Sequence, residues 1–432
     1  MNRRHFMKKA GSALAGAALF PTILPSRVTA ASQEIKPSDK IVMASIGVGK
    51  QGGGLLRGFL HKPECHVVAV CDVDRLKMDA AQKAVEDHYY EKFGGDYKGC
   101  SATGDFREII ERTDIDAVVI AAPDHWHALP SIMAAQTGKD IYCEKPLTLT
   151  IDEGREMVKA VRFYNRVFQT GSMQRSSSQF RQACELVRNG YIGDVKHVRV
   201  SIHTGFANHP IECTLPPEPV PKELDWNMWQ GQAPERPYNS ELAPPITFSG
   251  WPAWRNYRAY SGGGMTDWGA HHFDIAQWGL GMDNSGPVEI YPPNGKDIKE
   301  LTYRYANGVE LVTDFKDNHI IFTGTEGTVE VNRSYIKTKP KSLLSIKLKP
   351  SDVHLYESTD HKQDFINCIH QRTKPITDVE IGHRSVTVCH LGNLAVQLDR
   401  PLKWNPEKEE FIGDAEANRL RSRHKREPWS LP

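Results

Sequence analysis

The chain has 432 residues, enough for two domains of ordinary size. Hydrophobic residues at 39% and charged residues at 25% describe a soluble globular protein. No apolar run in the sequence reaches the ~18 residues that a membrane-spanning helix needs.

The first 30 residues have the layout of an export signal. A basic head with Arg3-Arg4 precedes a short apolar stretch and the small residues around Ala30. The paired arginines and the following His5-Phe6 are similar to a twin-arginine signal, so we expect cleavage after Ala30 and a periplasmic or otherwise exported protein. A frayed basic terminus is the alternative. Without residues 1–30 the chain keeps 49 basic and 53 acidic side chains, which argues against nucleic acid or an anionic membrane as a partner.

The eight cysteines show no C-x-x-C spacing, and Cys71 and Cys143 lie in apolar, strand-like runs. We interpret the cysteines as mostly buried thiols, although an oxidising compartment would allow a disulfide that the sequence cannot assign. The histidines of residues 125–127 and 271–272 have neither H-E-x-x-H spacing nor a cysteine companion, so no metal site is predicted.

From Lys40 onward, short apolar runs alternate with helix-like segments. The strand-like runs are IVMASIGVG, CHVVAVCDVD, DAVVIAAP, DIYCEKP and VFQTGSM. This alternation predicts an α/β fold with a doubly wound parallel sheet, a Rossmann domain over residues 36–172.

Longer strands with alternating polarity follow, and Asn307-Gly308 lies between two of them as a hairpin turn. They predict a second, α+β domain over residues 173–400 with a large, mostly antiparallel, open-faced sheet. Residues 208–252 have no regular period, and such long loops usually cover a site or an interface. We expect residues 401–432 to form a surface arm, and we expect a homodimer or homotetramer because open sheet faces commonly become interfaces.

The first strand runs into G-x-G-x-x-G and then a helix, the context of a dinucleotide-binding turn. Gly47 would allow the tight turn, Gly49 the approach of a pyrophosphate, and Gly52 the packing of helix on strand. Asp72 ends the second strand, where a carboxylate accepts hydrogen bonds from ribose hydroxyls and repels a 2′-phosphate. NAD is therefore favoured over NADP, although Arg75 keeps NADP open. A plain turn residue is the alternative for Asp72.

Two further strands end in polar residues at the edge where a doubly wound sheet places its ligand. The first ends with Pro123, Asp124 and His127, and the second with Glu144-Lys145 before a proline. A lysine at the end of an apolar strand is costly to bury without a partner, so Lys145 is predicted to face the cleft.

The stretch after three consecutive glycines predicts a helix over residues 265–280, capped by Thr266 or Asp267. Asp267, His271 and Asp274 would then share one helix face. Oxidising an alcohol requires a base for the hydroxyl proton, and an imidazole beside a carboxylate suits that task near neutral pH. His271 is the candidate base, with a core histidine as the alternative.

His272 and Asp274 are interpreted as structural. Substrate contacts are predicted from aromatic faces for sugar rings and guanidinium groups for hydroxyls or carboxylates, each weighed evenly against a packing role. These candidates are Arg175, His203, Trp254, Arg255, Tyr257 and Arg258.

The glycine motif, Pro123 with His127, the Glu144-Lys145-Pro146 triplet and the D-x-x-x-H stretch together resemble the Gfo/Idh/MocA family of oxidoreductases. The resemblance covers nearly all of the chain after residue 30. It implies that Lys145, Asp267 and His271 form the catalytic group, and whether Lys145 or His271 takes the proton stays open. The predicted nucleotide contacts are Gly47, Gly49, Lys50, Gln51, Gly52, Asp72, Pro123, Asp124, His127, Glu144 and Lys145.

The resemblance predicts an NAD-dependent oxidoreductase that acts on a secondary hydroxyl of a sugar or sugar derivative. Outside the cytoplasm little free nucleotide is available, so we expect NAD to be held tightly and recycled on the protein. An NAD-dependent glycosidase or lyase that oxidises, eliminates and re-reduces is the first alternative. A sugar-binding protein without turnover is the second.

Overall fold

The computed structural model describes residues 39–93, 95 and 97–431. The expected export signal at residues 1–30 and the start of the expected first domain at residues 36–38 lie outside the described residues. Within the described chain, no helix is both long enough and apolar enough to span a membrane. The eight cysteines are free thiols, and all except Cys213 are buried.

The first part of the chain alternates strands and helices, as predicted. Its strands are β1 (Ile41–Ile46), β2 (Cys65–Cys71), β3 (Ser101–Thr103), β4 (Ala117–Ile120), β5 (Asp140–Cys143) and β6 (Phe168–Thr170). Its helices are α1 (Lys50–Leu60), α2 (Arg75–Phe93), α3 (Phe106–Glu111), α4 (Ala128–Gln136) and α5 (Ile151–Phe163).

These strands form a parallel sheet in the order β3-β2-β1-β4-β5-β6. Apolar side chains pack on both faces of it, which is why the strands read as nearly continuous hydrophobic runs. The strand order reverses direction between β1 and β4, and a ligand crevice is expected outside the carboxyl ends of those strands. The doubly wound Rossmann domain is confirmed.

The second part of the chain contains the remaining helices and strands. Its helices are α6 (Ser178–Arg188), α7 (Trp226–Gln230), α8 (Gly264–Asp267), α9 (Gly269–Leu280), α10 (His361–Gln371), α11 (Val379–Leu398) and α12 (Ala415–Arg419). Its strands are β7 (Val195–Ser201), β8 (Glu289–Tyr291), β9 (Leu301–Arg304), β10 (Glu310–Asp314), β11 (His319–Gly324), β12 (Thr328–Val331), β13 (Ile336–Lys339), β14 (Leu402–Asn405) and β15 (Glu410–Phe411).

These strands form one sheet in the order β13-β12-β11-β7-β10-β9-β8-β14-β15. Only the β7–β10 pair is parallel among the described pairings, so the prediction of a mostly antiparallel sheet is confirmed. The predicted hairpin joins β9 to β10, and Gly308 adopts the positive φ of +84° that the turn requires. Helices α6, α9 and α11 pack against this sheet. Helix α11 also contacts α5 and β6 of the first domain.

The segment after Pro401 differs from the expected surface arm. Strand β14 pairs with β8, and Trp404 is only 1% exposed within the core of the second domain. Farther along, Trp429 packs edge-on against Trp126 of the first domain, with ring centroids 5.0 Å apart. The aromatic side chains of this charged segment therefore anchor it to both domains.

The helix predicted over residues 265–280 is interrupted. Helix α8 ends at Asp267 and α9 begins at Gly269, with Trp268 between them. The expected cap is also wrong, because Gly263 precedes the first turn with φ +73° and no side chain caps it. Thr266 Oγ1 instead accepts a hydrogen bond of 3.1 Å from the Gly262 N–H. A side chain at Gly263 would meet the backbone of residues 207–210, so this position requires glycine.

Arg175 forms a buried ion pair that fixes α9 in the second domain. Its guanidinium donates to the two carboxylate oxygens of Asp274 at 2.8 and 2.9 Å and to Asp283 at 2.7 and 3.1 Å. The side chains of Arg175 and Asp274 are 1% and 0% exposed. Ser385 on α11 donates to the same Asp274 carboxylate. Asp274 is therefore structural, as predicted, and Arg175 is structural as well.

Replacing Arg175 with methionine should lower the free energy of unfolding by about 3–5 kcal/mol, because the Asp274 carboxylate would stay buried without its partner. Urea denaturation measures this change. The matched control is Arg304→Met, whose side chain is 47% exposed and whose loss should cost less than about 1 kcal/mol. The double substitution Arg175→Met with Asp274→Leu should recover part of the loss. Equal stability losses for Arg175→Met and Arg304→Met would contradict the assignment.

Candidate functional site

A cavity of about 470 Å³ lies at the carboxyl edge of the parallel sheet, and residues of both domains line it. It brings together most of the predicted site residues. These are Gly47, Gly49, Lys50, Gln51, Asp72, Pro123, Asp124, His127, Glu144, Lys145, His203, Trp254, Arg255, Asp267 and His271.

The glycine turn leaves room where a pyrophosphate would lie. A side chain at Gly47 would come within 2.6 Å of the Ala122 backbone nitrogen, and the φ of +79° there disfavours any other residue. A side chain at Gly52 would approach the Gly47 carbonyl oxygen to 1.9 Å, so Gly52 serves helix packing and lies outside the cavity lining. At Gly49, a Cβ would meet no described atom within 4 Å. The start of α1 therefore offers open space beside backbone N–H groups, which suits a phosphate group.

Asp72 lies at the end of β2 and is held by the backbone. Its carboxylate accepts hydrogen bonds from the Val48 N–H at 2.9 Å and the Asp74 N–H at 3.0 Å. Burial raises the pKa of Asp72 above its usual range, although these hydrogen bonds and the nearby Lys77 oppose that shift. Each carboxylate oxygen keeps acceptor capacity for a ribose hydroxyl. The glycine turn and Asp72 together fit the diphosphate and the ribose of an adenosine diphosphate group.

Lys145 and Asp267 join the two domains across the cavity. The Lys145 Nζ lies 2.8 Å from the Asp267 carbonyl oxygen and 3.1 Å from its carboxylate Oδ1. Arg255 Nε lies 3.2 Å from the same Oδ1. Burial would raise the pKa of Asp267, but the charges of Lys145 and Arg255 outweigh it and hold the pKa below the usual range. The carboxylate is thus ionised between two cations.

His271 lines this cavity, and one of its ring nitrogens is buried without a hydrogen-bond partner among the described residues. The residue is 5% exposed, and its Nδ1 has no hydrogen-bond partner within the described chain. Burial, reinforced by the charges of Lys145 and Arg333, holds the pKa of His271 well below its usual value, so the imidazole is neutral. A neutral imidazole has one unprotonated nitrogen that can accept a proton.

His272 differs from His271 although the two are adjacent. Its Nδ1 lies 3.0 Å from the Ser201 carbonyl oxygen, and its Nε2 accepts a hydrogen bond of 3.1 Å from the Trp268 indole. Both nitrogens of His272 are occupied within the second domain, which fits the structural role predicted for it.

Glu144 and His127 hold the strand end that carries Lys145. Glu144 accepts hydrogen bonds from Gln51 at 2.8 Å and from the Lys145 N–H at 3.2 Å, which links it to the glycine turn. The ring nitrogens of His127 lie 2.8 Å from the Pro146 carbonyl oxygen and 2.9 Å from the Ala122 carbonyl oxygen. These contacts fix the loops after β4 and β5 relative to each other.

Asp124 is a buried carboxyl of the cavity wall. Ser261 Oγ donates a hydrogen bond of 2.6 Å to it from the second domain. Burial raises the pKa of Asp124 from its ordinary 3.8 to about 7, and the Ser261 hydrogen bond and the charge of Lys145 only partly oppose this. Near neutral pH the group therefore exchanges between its acid and its carboxylate.

Residues 208–252, here called the covering segment, form one wall of the cavity. Trp229, Leu242 and Trp251 are among its lining residues. The segment is fastened to the first domain at several points: the Asp225 N–H donates to the Val73 carbonyl oxygen at 2.9 Å, and Lys77 Nζ donates to the Pro244 carbonyl oxygen at 2.8 Å. The loop thus covers the site, as its length and composition predict.

Lys50 also contacts the covering segment. Its Nζ donates to the Ser249 carbonyl oxygen at 2.5 Å and lies 4.5 Å from the centre of a Trp251 ring. The covering segment is therefore tied to the glycine turn itself.

Three of the candidate substrate contacts lie away from the cavity. Arg175 is committed to Asp274 and Asp283 in the second domain. Tyr257 is 7% exposed within an apolar cluster of the covering segment, and Arg258 donates to Glu212 at 2.9 Å on the far side. The structure therefore does not support these three residues as substrate contacts. Each contacts other protein groups, and none of them lines the cavity.

Several residues that line the cavity were not predicted, because no sequence motif marks them. They are Met173, Phe206, Trp251, Trp268 and Arg333. Trp268 lies beside Asp267 but reads as an apolar helix residue, and Arg333 lies in the turn after β12, with no motif around it. Only the pairing of strands brings Arg333 to the cavity.

Models of protein families match almost all of the described chain. Residues 41–172 match the GFO_IDH_MocA model, described as "Oxidoreductase family, NAD-binding Rossmann fold", and residues 176–431 match its "C-terminal alpha/beta domain". The first domain is an NAD-binding Rossmann domain.

Curated relatives match part of the chain. A "Glycosyl hydrolase family 109 protein" of Shewanella pealeana is 29% identical over 216 residues, which cover 46% of this chain and 45% of the relative. An "Alpha-N-acetylgalactosaminidase" of Shewanella oneidensis is 28% identical over 213 residues, with the same two coverages. The matched stretch thus spans about half the length of these relatives.

Solved structures share the fold. The WlbA dehydrogenase from Bordetella pertussis, solved in complex with NADH and UDP-GlcNAcA, superposes with a TM-score of 0.60 at 18% identity. The match covers 85% of this chain and 99% of that one. At this identity the likeness concerns the fold.

Asp124→Asn should change how stability depends on pH. Because folding raises the pKa of Asp124 from 3.8 to about 7, its contribution to stability is present at low pH and is lost as the pH rises through about 7. The free energy of unfolding of Asp124→Asn, minus that of the parent protein, should therefore be larger at pH 8 than at pH 5. Urea denaturation of the nucleotide-free protein at both pH values measures this. The exposed Asp79→Asn is the control, and an identical pH dependence in parent and Asp124→Asn would contradict the shift.

Proposed function

Because the chain belongs to the Gfo/Idh/MocA family of oxidoreductases, we propose that it oxidises a secondary hydroxyl of a sugar or sugar derivative and retains its NAD between half-reactions. One observation carries the proposal: Lys145 and His271 line the same cavity as the glycine turn and Asp72. A cation and a neutral imidazole are therefore presented to whatever lies beside the bound nucleotide.

The two side chains have different tasks. NAD, when bound, supplies the acceptor for the hydride of the alcohol carbon. Lys145 is positioned by its hydrogen bond of 3.1 Å to the Asp267 carboxylate, and as a cation it donates a hydrogen bond to the reacting oxygen and stabilises negative charge there. His271 lines the cavity with a neutral ring, and a neutral imidazole accepts a hydroxyl proton at its unprotonated nitrogen. We therefore assign the proton to His271 and the electrostatic role to Lys145.

Asp267 both compensates positive charge near this pair and positions Lys145. Its carboxylate partly compensates the charges of Lys145 and Arg255, and a complete loss of that charge would make a protonated His271 still more costly. Asp267 also fixes Lys145 through its carbonyl oxygen, which positions the ammonium group independently of the carboxylate.

The covering segment supports retention of the nucleotide. Its contacts with Lys50, Lys77 and Val73 close the cavity wall on the side of the glycine turn and Asp72. A dinucleotide in this crevice would leave only after those contacts open. Retention suits the exported location that the amino-terminal sequence suggests, where the cofactor would have to be recycled on the protein by a second substrate.

A redox-assisted glycosidase is the second candidate function, and the matches to relatives named as glycosyl hydrolases and an α-N-acetylgalactosaminidase favour it. The same two groups would first assist the oxidation of a ring hydroxyl to a ketone, with the hydride passing to the bound nucleotide. The hydrogen beside the ketone is then acidic, and its loss would expel the leaving group and leave an unsaturated ketone. Water would add to the double bond at the carbon that carried the leaving group, and the hydride would return to the ketone. A sugar-binding protein without turnover is less well supported, since Lys145 and His271 both line the cavity.

Lys145→Met should retain bound nucleotide but reduce it at least about 100-fold more slowly, because the charge on the reacting oxygen loses its stabilising donor. The measurement is nicotinamide absorbance after mixing with a panel of sugars. Lys62→Met is the control, since Lys62 pairs with Asp360 at the surface and lies outside the cavity lining. Equal rates for the parent and Lys145→Met would refute the role of Lys145.

The two candidate functions differ in the fate of the hydrogen next to the oxidised carbon. If cleavage proceeds through a ketone, the sugar released from an aryl glycoside in heavy water should carry deuterium at the adjacent carbon, without net formation of NADH. Mass spectrometry of the released sugar detects it. Release of an oxidised sugar with the glycosidic bond intact favours the simple oxidoreductase, and cleavage without deuterium would exclude the redox-assisted route.

A further inference from the structure

Arg333 is a cation of the cavity wall that the proposed reaction does not use. It lies in the turn between β12 and β13, and it lines the same cavity as Lys145 and His271. The turn is held by Asn332, whose side-chain oxygen accepts hydrogen bonds from the backbone N–H groups of Ser334 and Tyr335. The residue as a whole is exposed, so a ligand can reach it.

The guanidinium group of Arg333 is held in place next to the catalytic group. It lies 4.3 Å from the centre of a Trp268 ring, and the Trp268 and His271 ring centroids are 5.8 Å apart. Its Nε donates to Gln174 Oε1 at 3.0 Å, and Gln174 in turn donates to the His271 carbonyl oxygen at 3.1 Å. Two separate routes thus tie Arg333 to His271, and Gln174 is only 3% exposed.

The charge of Arg333 has no direct counter-ion. Within the described chain, no carboxylate oxygen lies within 4.0 Å of its guanidinium nitrogens. Desolvation lowers the pKa of Arg333, and the more distant charges of Glu144 and Asp267 only partly oppose this. Its two terminal nitrogens also have no hydrogen-bond acceptor among the described residues. An arginine that is partly desolvated and keeps its terminal donors open is suited to bind an oxyanion.

Arg255, the other arginine of the cavity wall, is already committed. Its side chain is 11% exposed, its Nε donates to Asp267, and its guanidinium lies 4.2 Å from the centre of a Trp254 ring. Lys145 shares the same Asp267 carboxylate. Of these three cations, Arg333 is therefore the one without a carboxylate partner. Lys50 and Lys77 also line the cavity, but Lys77 pairs with Asp74 and Lys50 donates to carbonyl oxygens of the covering segment.

We propose that Arg333 binds an acidic substituent of the carbohydrate, a carboxylate or a sulfate ester, and so selects acidic sugars over neutral ones. The inference rests on the proposed function, because it places the substituent on the sugar whose hydroxyl lies at Lys145 and His271. A neutral sugar would leave the guanidinium without an anion, whereas a carboxylate or sulfate presents two oxygens to its open donors.

The test compares sugars that differ only in charge. The probes are methyl glucosides, galactosides and mannosides, each with its uronic acid and its 6-sulfate counterpart. Reduction of the bound nucleotide gives kcat and KM, and calorimetry gives binding independently of turnover. The variants are Arg333→Gln, which removes the charge, and Arg333→Lys, which keeps the charge without the guanidinium geometry. Lys337→Gln on β13 is the matched control, since it lies outside the cavity lining and its side chain is 64% exposed.

The expected result is that one acidic series reacts faster than its neutral counterpart and that Arg333→Gln raises its KM about 10- to 100-fold. The KM for neutral sugars should be unaffected, and any change in kcat that follows from the altered charge beside His271 should be the same for acidic and neutral sugars. Arg333→Lys should fall between, and Lys337→Gln should match the parent. Preference for the uronic acids identifies a carboxylate as the bound group, and preference for the 6-sulfates identifies a sulfate ester.

Two results would overturn the inference and leave the proposed function intact: a preference for neutral sugars, or an acidic preference that survives in Arg333→Gln. If no sugar reduces the nucleotide but acidic sugars bind and lose affinity in Arg333→Gln, the inference stands while the proposed oxidoreductase fails. If acidic sugars neither react nor bind better than neutral ones, the inference is wrong.

Discussion

The contact between Lys145 and Asp267 is the constraint on which the rest of the site depends. A cationic side chain at the end of a buried strand requires a counter-charge. Glu144 and Asp124 of the first domain act on Lys145 from a distance, and the direct ion pair comes from Asp267 at the end of α8 in the second domain. This ion pair, together with the contacts of α11 with α5 and β6, holds the sheet edge next to the helix that carries His271.

Burial then decides how each group of the cavity is charged. The carboxylate of Asp267 stays ionised because two cations flank it, whereas Asp124, with a hydroxyl as its direct partner, is easily protonated. His271 stays neutral chiefly because burial lowers its pKa, and the charges of Lys145 and Arg333 add to this effect. The cavity therefore holds a neutral imidazole beside a cationic side chain.

The fold and the glycine turn follow from local patterns that the sequence displays directly: strand, glycines, helix and acid within one β-α-β unit. The roles of side chains on α9 are different. Asp274 and His271 both lie on a helix that is buried on nearly every side, and periodicity cannot show that Asp274 contacts Arg175 while His271 lines the cavity. Arg333 was not predicted, because no sequence motif marks it. The pairing of β12 with β11 and β13 brings its turn to the cavity.

The central claim is that the sugar's hydrogen passes directly to a nucleotide held beside Lys145 and His271. The most direct measurement incubates the protein with sugars deuterated at every ring carbon, denatures it and determines the mass of the nucleotide released. The account predicts a nicotinamide nucleotide that carries one deuterium from the sugar and none when the sugar is unlabelled. A protein that releases no nicotinamide nucleotide, or one whose nucleotide never gains deuterium from any sugar, would contradict it.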